Sequence, residues 1–286
     1  MKKKDSKDKF TKNRLTIRYR GVNMRGVLYY FSGTGNTKWV ADKFKSNFSN
    51  YNIDLKLINI EDKEQVKNEC FKKNDFIIVG SPVYAEFPPK IVCNFLEKIK
   101  CENRRIKAIV YSTQAAKSSP AAHFMAQCLK KKGFKIVIQS NIRMPNNYYF
   151  SIGKKPTKDN IELLLANSEN KIKLIVKKFI DDSVIVESNS ELRLHFSKFF
   201  CKIFIKKLPK LSKNLTSTDE CGKCGICLMN CPQNNITFEN GHAIFHSKCM
   251  LCMRCIHICP INAIRYKNKK IDQTQNKIIN SLNLNK

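Results

Sequence analysis

The chain has 286 residues, 42% of them hydrophobic, with 53 lysines and arginines against 23 acidic residues and a formal net charge of +30. This length suggests one large or two small domains, and the apolar content suffices for a core. No run of eighteen apolar residues occurs, so no membrane-spanning helix is expected, and without an interleaved aromatic–basic module no nucleic-acid partner is expected. The basic excess fits acidic protein partners, an anionic membrane face, or plain compositional drift in a chain rich in Lys, Asn and Ile.

Residues 1–23 form a basic leader, too polar for a secretory signal. It is read either as a mobile arm or as sequence ahead of a start at Met24. Gly26 to Phe31 is a continuous apolar run and predicts a buried strand. It feeds Ser32-Gly33-Thr34-Gly35-Asn36-Thr37 and then a helix beginning near Lys38. Strand, glycine- and hydroxyl-rich loop and helix start make an anion site. The glycines allow close backbone approach, the amides converge, and the helix N-terminus favours negative charge. The loop lacks the Gly-Lys-Ser/Thr ending of a triphosphate loop and the spacing of a dinucleotide loop. It is read as a site for a phosphate or another anion, or as a structural turn. Trp39, the single tryptophan, is read as packing.

Further strands are predicted at Ile53–Ile58, Phe76–Val79, Ile106–Tyr111 and Phe134–Gln139, with helices at Pro89–Lys100, Pro120–Lys132 and Ile161–Ile180. This alternation predicts a doubly wound parallel sheet, with ligand outside the carboxyl ends of its strands. The loops Gly80–Tyr84 and Ser112–Ala116 sit at such ends. Met144–Tyr149 closes the domain as a site rim or a turn cap. In the connector, 182–212, Ser183–Ser190 is expected as loop and Leu192–Leu208 as a helix stopped by Pro209. Phe196, Phe199, Phe200 and Phe204 alternate there with Lys198, Lys202, Lys206 and Lys207. The expectation is packing between domains, with contact to an anionic membrane as the alternative.

Residues 221–259 carry one pattern twice: Cys221, Cys224, Cys227, Cys231, Pro232 and Cys249, Cys252, Cys255, Cys259, Pro260. Each reads C-x2-C-x2-C-x3-C-P, a run that holds 4Fe–4S clusters, the fourth cysteine serving the other cluster. The expected sets are Cys221, Cys224, Cys227 and Cys259, and Cys249, Cys252, Cys255 and Cys231. Zinc needs neither the third cysteine at this spacing nor the Cys-Pro ending. A disulfide framework needs an oxidising compartment. Both remain the bland alternatives. Between the runs, Ile236–Phe245 around Asn240-Gly241 predicts a hairpin. His242, His246 and His257 are not needed as ligands, and His123 and His195 are read as structural. Cys70, Cys93, Cys101, Cys128 and Cys201 are read as small buried apolar residues. Residues 269–286 read as a polar tail without evident chemistry.

Residues 213–268 resemble bacterial two-cluster ferredoxins, and residues 24–150 resemble flavodoxins through the phosphate loop and the Gly-x-Pro-x-aromatic loop. The resemblance implies a flavodoxin-like domain, 24–181, with strand order 2-1-3-4-5, then a small α+β ferredoxin-like domain after the connector. It implies FMN held by Ser32, Gly33, Thr34, Gly35, Asn36 and Thr37. Tyr84 would stack on the ring, with Ser81, Pro82, Val83, Ser112, Thr113 and Gln114 around it. Flavodoxins often place glycine after the stacking residue; here Ala85-Glu86 follow. Free flavodoxins also tend to be acidic. The combination implies a cytoplasmic, oxygen-sensitive electron-transfer protein linking FMN, two 4Fe–4S clusters and redox partner proteins, with no acid–base catalytic residues. The alternative is an FMN-dependent oxidoreductase that reduces a small molecule or takes hydride from NAD(P)H.

Overall fold

Strands buried on both faces need apolar residues in succession, and this chain supplies them. In the computed structural model, which describes residues 24–69, 74–101, 106–116, 118–187, 189–282 and 284, they form one parallel sheet. The leader and Cys70 lie outside the described residues. The strands are β1 (Arg25–Tyr30), β2 (Asp54–Asn59), β3 (Phe76–Pro82), β4 (Lys107–Gln114), β5 (Lys135–Arg143) and β6 (Ile185–Val186), in the order β2-β1-β3-β4-β5-β6. Helices α1 (Asn36–Ser49) and α5 (Lys158–Ile180) cover one face; α3 (Lys90–Lys98) and α4 (Ala121–Lys131) cover the other. A short α2 (Lys63–Asn68) follows β2.

Successive side chains on each strand serve opposite faces. Val27, Tyr29, Ile77, Val79 and Val110 enter the core under α3 and α4. Leu28, Ile78, Ile109 and Tyr111 meet Phe44, Phe48 and Phe179 of α1 and α5. The strand order reverses between β1 and β3, so a crevice opens beyond their carboxyl ends.

Two expectations about the connector change. Ile185–Val186, expected as loop, pairs with Ile138–Gln139 and adds the sixth strand. Glu187 fixes this edge. It accepts from Ser140 Oγ (2.8 Å) and the Asn141 amide (3.0 Å), and Lys171 lies 2.7 Å away. Helix α6 runs from Glu191 to Ser212, through Pro209 rather than stopping there. Proline costs the helix a bond to the preceding turn, but Pro209 is exposed and Ser212 Oγ bonds its carbonyl (2.9 Å), so the last turn holds.

The third core lies in residues 215–271. It combines β7 (Leu215–Ser217), α7 (Ile226–Met229), β8 (Ile236–Glu239), β9 (His242–Phe245), α8 (Arg254–Ile258), β10 (Ile264–Tyr266) and β11 (Lys269–Lys270). The β8–β9 hairpin turns at Asn240 (φ 47°) and Gly241 (φ 84°), the left-handed pair that a tight hairpin requires. The polar tail is not idle. It gives β11, paired with β10, and then α9 (Asn276–Asn280), whose Ile278 and Ile279 are buried.

Gly80 lets β3 pass the Tyr111 ring, which a Cβ there would overlap. Gly80→Ala is expected to cost about 1–3 kcal/mol through overpacking. It should appear as a lower urea midpoint at unchanged slope.

Candidate functional site

The loop after β1 bends because Gly35 (φ 94°) adopts a left-handed conformation just before α1. Ser32 Oγ accepts from the amides of Gly35 (3.1 Å) and Lys38 (3.3 Å), which sets the loop's curvature. Thr37 shares a hydrogen bond with Thr113 of β4 (2.8 Å), tying the loop to the neighbouring strand end. Asn147 Nδ2 donates to Thr34 Oγ1 (2.6 Å), and Asn36 Nδ2 donates to the Pro145 carbonyl (2.9 Å). The Met144–Tyr149 segment is thus part of the site wall.

A cavity of about 430 Å³ opens beside this loop, a size suited to a cofactor. Ser32, Gly33, Thr34, Asn36, Thr37, Pro82, Val83, Tyr84, Thr113 and Gln114 line it. Gly35, Ser81 and Ser112 do not. Gly35 is covered from behind, where a Cβ would meet the Ile278 carbonyl of α9 at 2.5 Å. Ser81 and Ser112 are buried at their strand ends, and Ser112 Oγ is within 2.8 Å of Asn141 Oδ1 and 2.9 Å of Gln114 Oε1. Trp39 packs on the α1 side of the sheet, with Lys43 over its ring at 5.3 Å.

The Tyr84 loop makes its turn without glycine. Ala85 (φ 48°) and Glu86 (φ 72°) are both left-handed, closed by Tyr84 N–H to the Phe87 carbonyl (2.8 Å) and the reverse bond (3.1 Å). Non-glycine residues there cost about 1–3 kcal/mol each and persist only when held. Arg193 of α6 holds Glu86 by an ion pair (3.2 Å), and Ser119 Oγ donates to its carbonyl (3.3 Å). The Tyr84 hydroxyl points at Gly33, where any Cβ would overlap it. Burial, and then the Cys252 sulfur, push this phenol well above its ordinary range, so it stays a proton donor.

The cysteines gather in two groups. Cys231, Cys249, Cys252 and Cys255 line one small cavity. Burial raises the thiols of Cys249 to about 11 and of Cys252 to about 12, with neighbouring sulfurs adding to the effect. Cys227 is raised to about 11 by burial and then by Cys259, Cys221 and Cys224. A bound metal centre inverts this electrostatics, taking such thiols as thiolates. Among the described residues no three His, Cys, Asp or Glu are arranged to hold a single metal ion; the four inner cysteines share the lining of the small cavity. The two runs repeat each other's backbone. Lys223 and Leu251 (φ 52° and 56°), Gly225 and Met253 (74° and 60°), and Asn234 and Asn262 (47° and 49°) correspond. So do the amides of Asn235 and Ala263, which donate to Cys231 and Cys259 Sγ (3.4 and 3.3 Å).

Met250, Cys252 and Met253 line both the small cavity and the large one. Beside them, Arg254 reaches across to the loop after β1. Its guanidinium donates to the carbonyls of Ser32 (2.7 Å), Gly33 (3.0 Å) and Asn230 (3.0 Å), and binds Glu61 through two bonds (2.6 and 2.7 Å). Asn147 is a second junction. Thr274 and Gln275 of the tail donate to its Oδ1, and His257 of α8 bonds its carbonyl (3.0 Å). Sequence reading missed Arg254, Asn147 as a hub, Phe204 in the cavity wall and the tail. One signal was present: the second run reads Met-Leu and Met-Arg where the first reads Gly-Lys and Gly-Ile. Of the remaining histidines, His246 bonds Thr237 (2.8 Å), His242 faces Asp219 (3.4 Å) and His123 faces Glu191 (3.2 Å). Cys93, Cys101, Cys128 and Cys201 are half-buried rather than fully enclosed.

Residues 27–150 match the family model described as a flavodoxin domain, and residues 242–265 match that of a 4Fe-4S binding domain. The chain therefore carries a flavodoxin domain and a 4Fe–4S domain. Among solved structures, a flavodoxin from the domain Archaea is 18% identical, covering 54% of this chain and 99% of that one with a TM-score of 0.38. The rubredoxin oxygen:oxidoreductase of Desulfovibrio gigas is 19% identical over 57% of this chain and 38% of that one, TM-score 0.39. Oxidised Flavodoxin 2 of Bacillus cereus is 20% identical over 53% and 99%, TM-score 0.37. No curated protein matches the chain at significance.

The donor set suits a flavin phosphate and its ribityl chain. Ser32, Gly33, Thr34, Asn36 and Thr37 line the cavity's loop end, and Asn36 Oδ1 is a buried acceptor without a partner. The four inner sulfurs suit a cubane. Glu61→Gln strands a buried guanidinium, a change expected to cost about 3–5 kcal/mol. At least hundredfold faster hydrogen exchange of the Ser32–Thr37 amides, with β4 still protected, is the expected reading. His257 is held below its ordinary 6.5 by burial, only partly offset by its bond to Asn147. The folded state thus disfavours the proton, so stability is full above 6.5 and falls as the pH drops toward the lowered value. Thermal unfolding followed across this range should lose midpoint on acidification in the parent chain and lose less in His257→Gln.

Proposed function

We propose that this chain is an electron-transfer protein that links an FMN site to two 4Fe–4S clusters and onward to redox partner proteins. The observation that carries this reading is the shared wall: Met250, Cys252 and Met253 separate the flavin-sized cavity from the cavity of the inner cysteines by one layer of side chains. When bound, FMN supplies a centre for one or two electrons and each cluster a centre for one. The chain's own residues bind, insulate and space these sites. Ser32–Thr37 take the phosphate, Tyr84 and the Thr113–Gln114 loop face the ring, and Cys231, Cys249, Cys252 and Cys255 take the inner cluster. Cys221, Cys224, Cys227 and Cys259 take the outer one.

The two copies differ in exposure, which sets a direction in space. Met250 is buried in a core of the flavodoxin domain, and Leu251 and Met253 are buried in the third core. The corresponding Gly222 and Lys223 are exposed, as is Cys224, with Leu228, Met229 and Ile261 also reaching solvent. This outer rim is where a partner protein would approach. The basic surface would steer acidic partners to it.

Anaerobic reconstitution with iron, sulfide and flavin analysis tests the reading. About eight irons and one FMN per chain are expected. Cys224→Ser should lose one cluster and keep FMN affinity. Cys255→Ser should lose the other and weaken FMN binding, because its loop forms the cavity wall. Two irons or fewer, with zinc present, would reject the assignment. Flavin bleaching by NADH at catalytic rates without a partner protein would instead make the chain a self-contained oxidoreductase.

A further inference from the structure

Helix α6 has two unlike sides. Leu194 and Ser197 are buried, and Phe204 and Leu208 lean on the third core. On the side away from them, Leu192, Phe196, Phe199 and Phe200 are exposed by 68, 58, 61 and 61%. Their i, i+4, i+7, i+8 spacing makes one continuous stripe. The expectation that these phenylalanines are covered by a neighbouring domain is therefore overturned for all but Phe204. An apolar stripe of this kind on a described surface marks a place where something docks.

Charge identifies the occupant. After Glu191, which bonds Gln127 (2.7 Å) and His123, α6 contains no acidic residue. It carries Arg193, Lys198, Lys202, Lys206, Lys207 and Lys210 instead. At helical spacing Lys206, Lys207 and Lys210 extend the phenylalanine stripe along the same side. A helix face meant only for water mixes both signs. A second copy of the chain would set these cations against each other with no acid between them, because a two-fold interface repeats the same patch. An anionic bilayer satisfies both halves, since phenylalanine enters the acyl boundary while lysine stays at the phosphates. No helix among the described residues is long and apolar enough to cross a membrane, so contact at the surface is the mode that remains for this helix.

We propose that α6 seats the protein on an anionic lipid surface through the Leu192–Phe200 stripe and its flanking lysines. The inference stands apart from the redox reading, and its test reads binding alone. The full chain, loaded anaerobically with its cofactors, is sedimented with vesicles of phosphatidylcholine alone or mixed with phosphatidylglycerol. The expected result is pelleting with the anionic vesicles, reversed by salt, and little with the neutral ones. Lys202→Gln, Lys206→Gln and Lys207→Gln together should lower the partition about a hundredfold, at about fivefold per lysine. Phe196→Ser, Phe199→Ser and Phe200→Ser together should lower it at least about tenfold. A single Phe199→Trp change gives a second measurement that needs no large repacking: the emission it adds to that of Trp39 should shift to the blue on anionic vesicles and be quenched by brominated lipid. The proposal is overturned by absent pelleting with anionic vesicles, by undiminished pelleting of the triple phenylalanine variant, or by an added emission in the Phe199→Trp variant that does not move. It is equally overturned if sedimentation without lipid finds a dimer that the triple phenylalanine variant dissociates.

Discussion

One guanidinium joins the two halves of this molecule. Arg254 spends all five of its donors on the Ser32, Gly33 and Asn230 carbonyls and both oxygens of Glu61. A buried charge is tolerable only when paired and fully hydrogen-bonded, and here that condition can be met only if three separate stretches of chain arrive together. Phe31 lies against the guanidinium as well, 5.8 Å from its centre. The loop after β1 and the inner cysteine loop are therefore registered to each other by chemistry that tolerates little displacement. Everything proposed about exchange between the two cavities depends on that registration.

The sheet and the cysteine runs were plain in the sequence because each follows from short-range rules. Apolar runs such as Phe76–Val79 have no solvent-facing alternative, and their alternation with helices leaves few arrangements. The cysteine spacing is set by the local wrap of the backbone, as the matching left-handed residues of the two loops show. The turn at Ala85-Glu86 illustrates the boundary of such rules. Local preference favours glycine there, yet Arg193, far along the chain, supplies the restraint that lets two ordinary residues occupy it.

What escaped sequence reading was long-range. Ile185–Val186 is too short to announce itself and exists as strand because β5 offers an open edge and Glu187 pins it. Pro209 ends helices in most contexts, but at an exposed position it removes one bond without creating a buried unmet carbonyl. The tail looked featureless because its apolar residues, Ile271, Ile278 and Ile279, are spaced among polar ones and acquire meaning only against surfaces built elsewhere. Asn147 belongs to the same category: an amide in a turn reads as a cap until four partners from three segments converge on it.

The placement of α9 behind Gly35 has a consequence for how the molecule is made. The loop of residues 32–37 leaves the ribosome early, whereas the helix that backs it and the arginine that clamps it come from residues 254–280. The nascent flavodoxin sheet can therefore fold while its pocket still lacks a rear support and one wall. The pocket is thus completed only once the cysteine-bearing segment has been synthesised and docked, so its final shape is set after the sheet's own strands are in place.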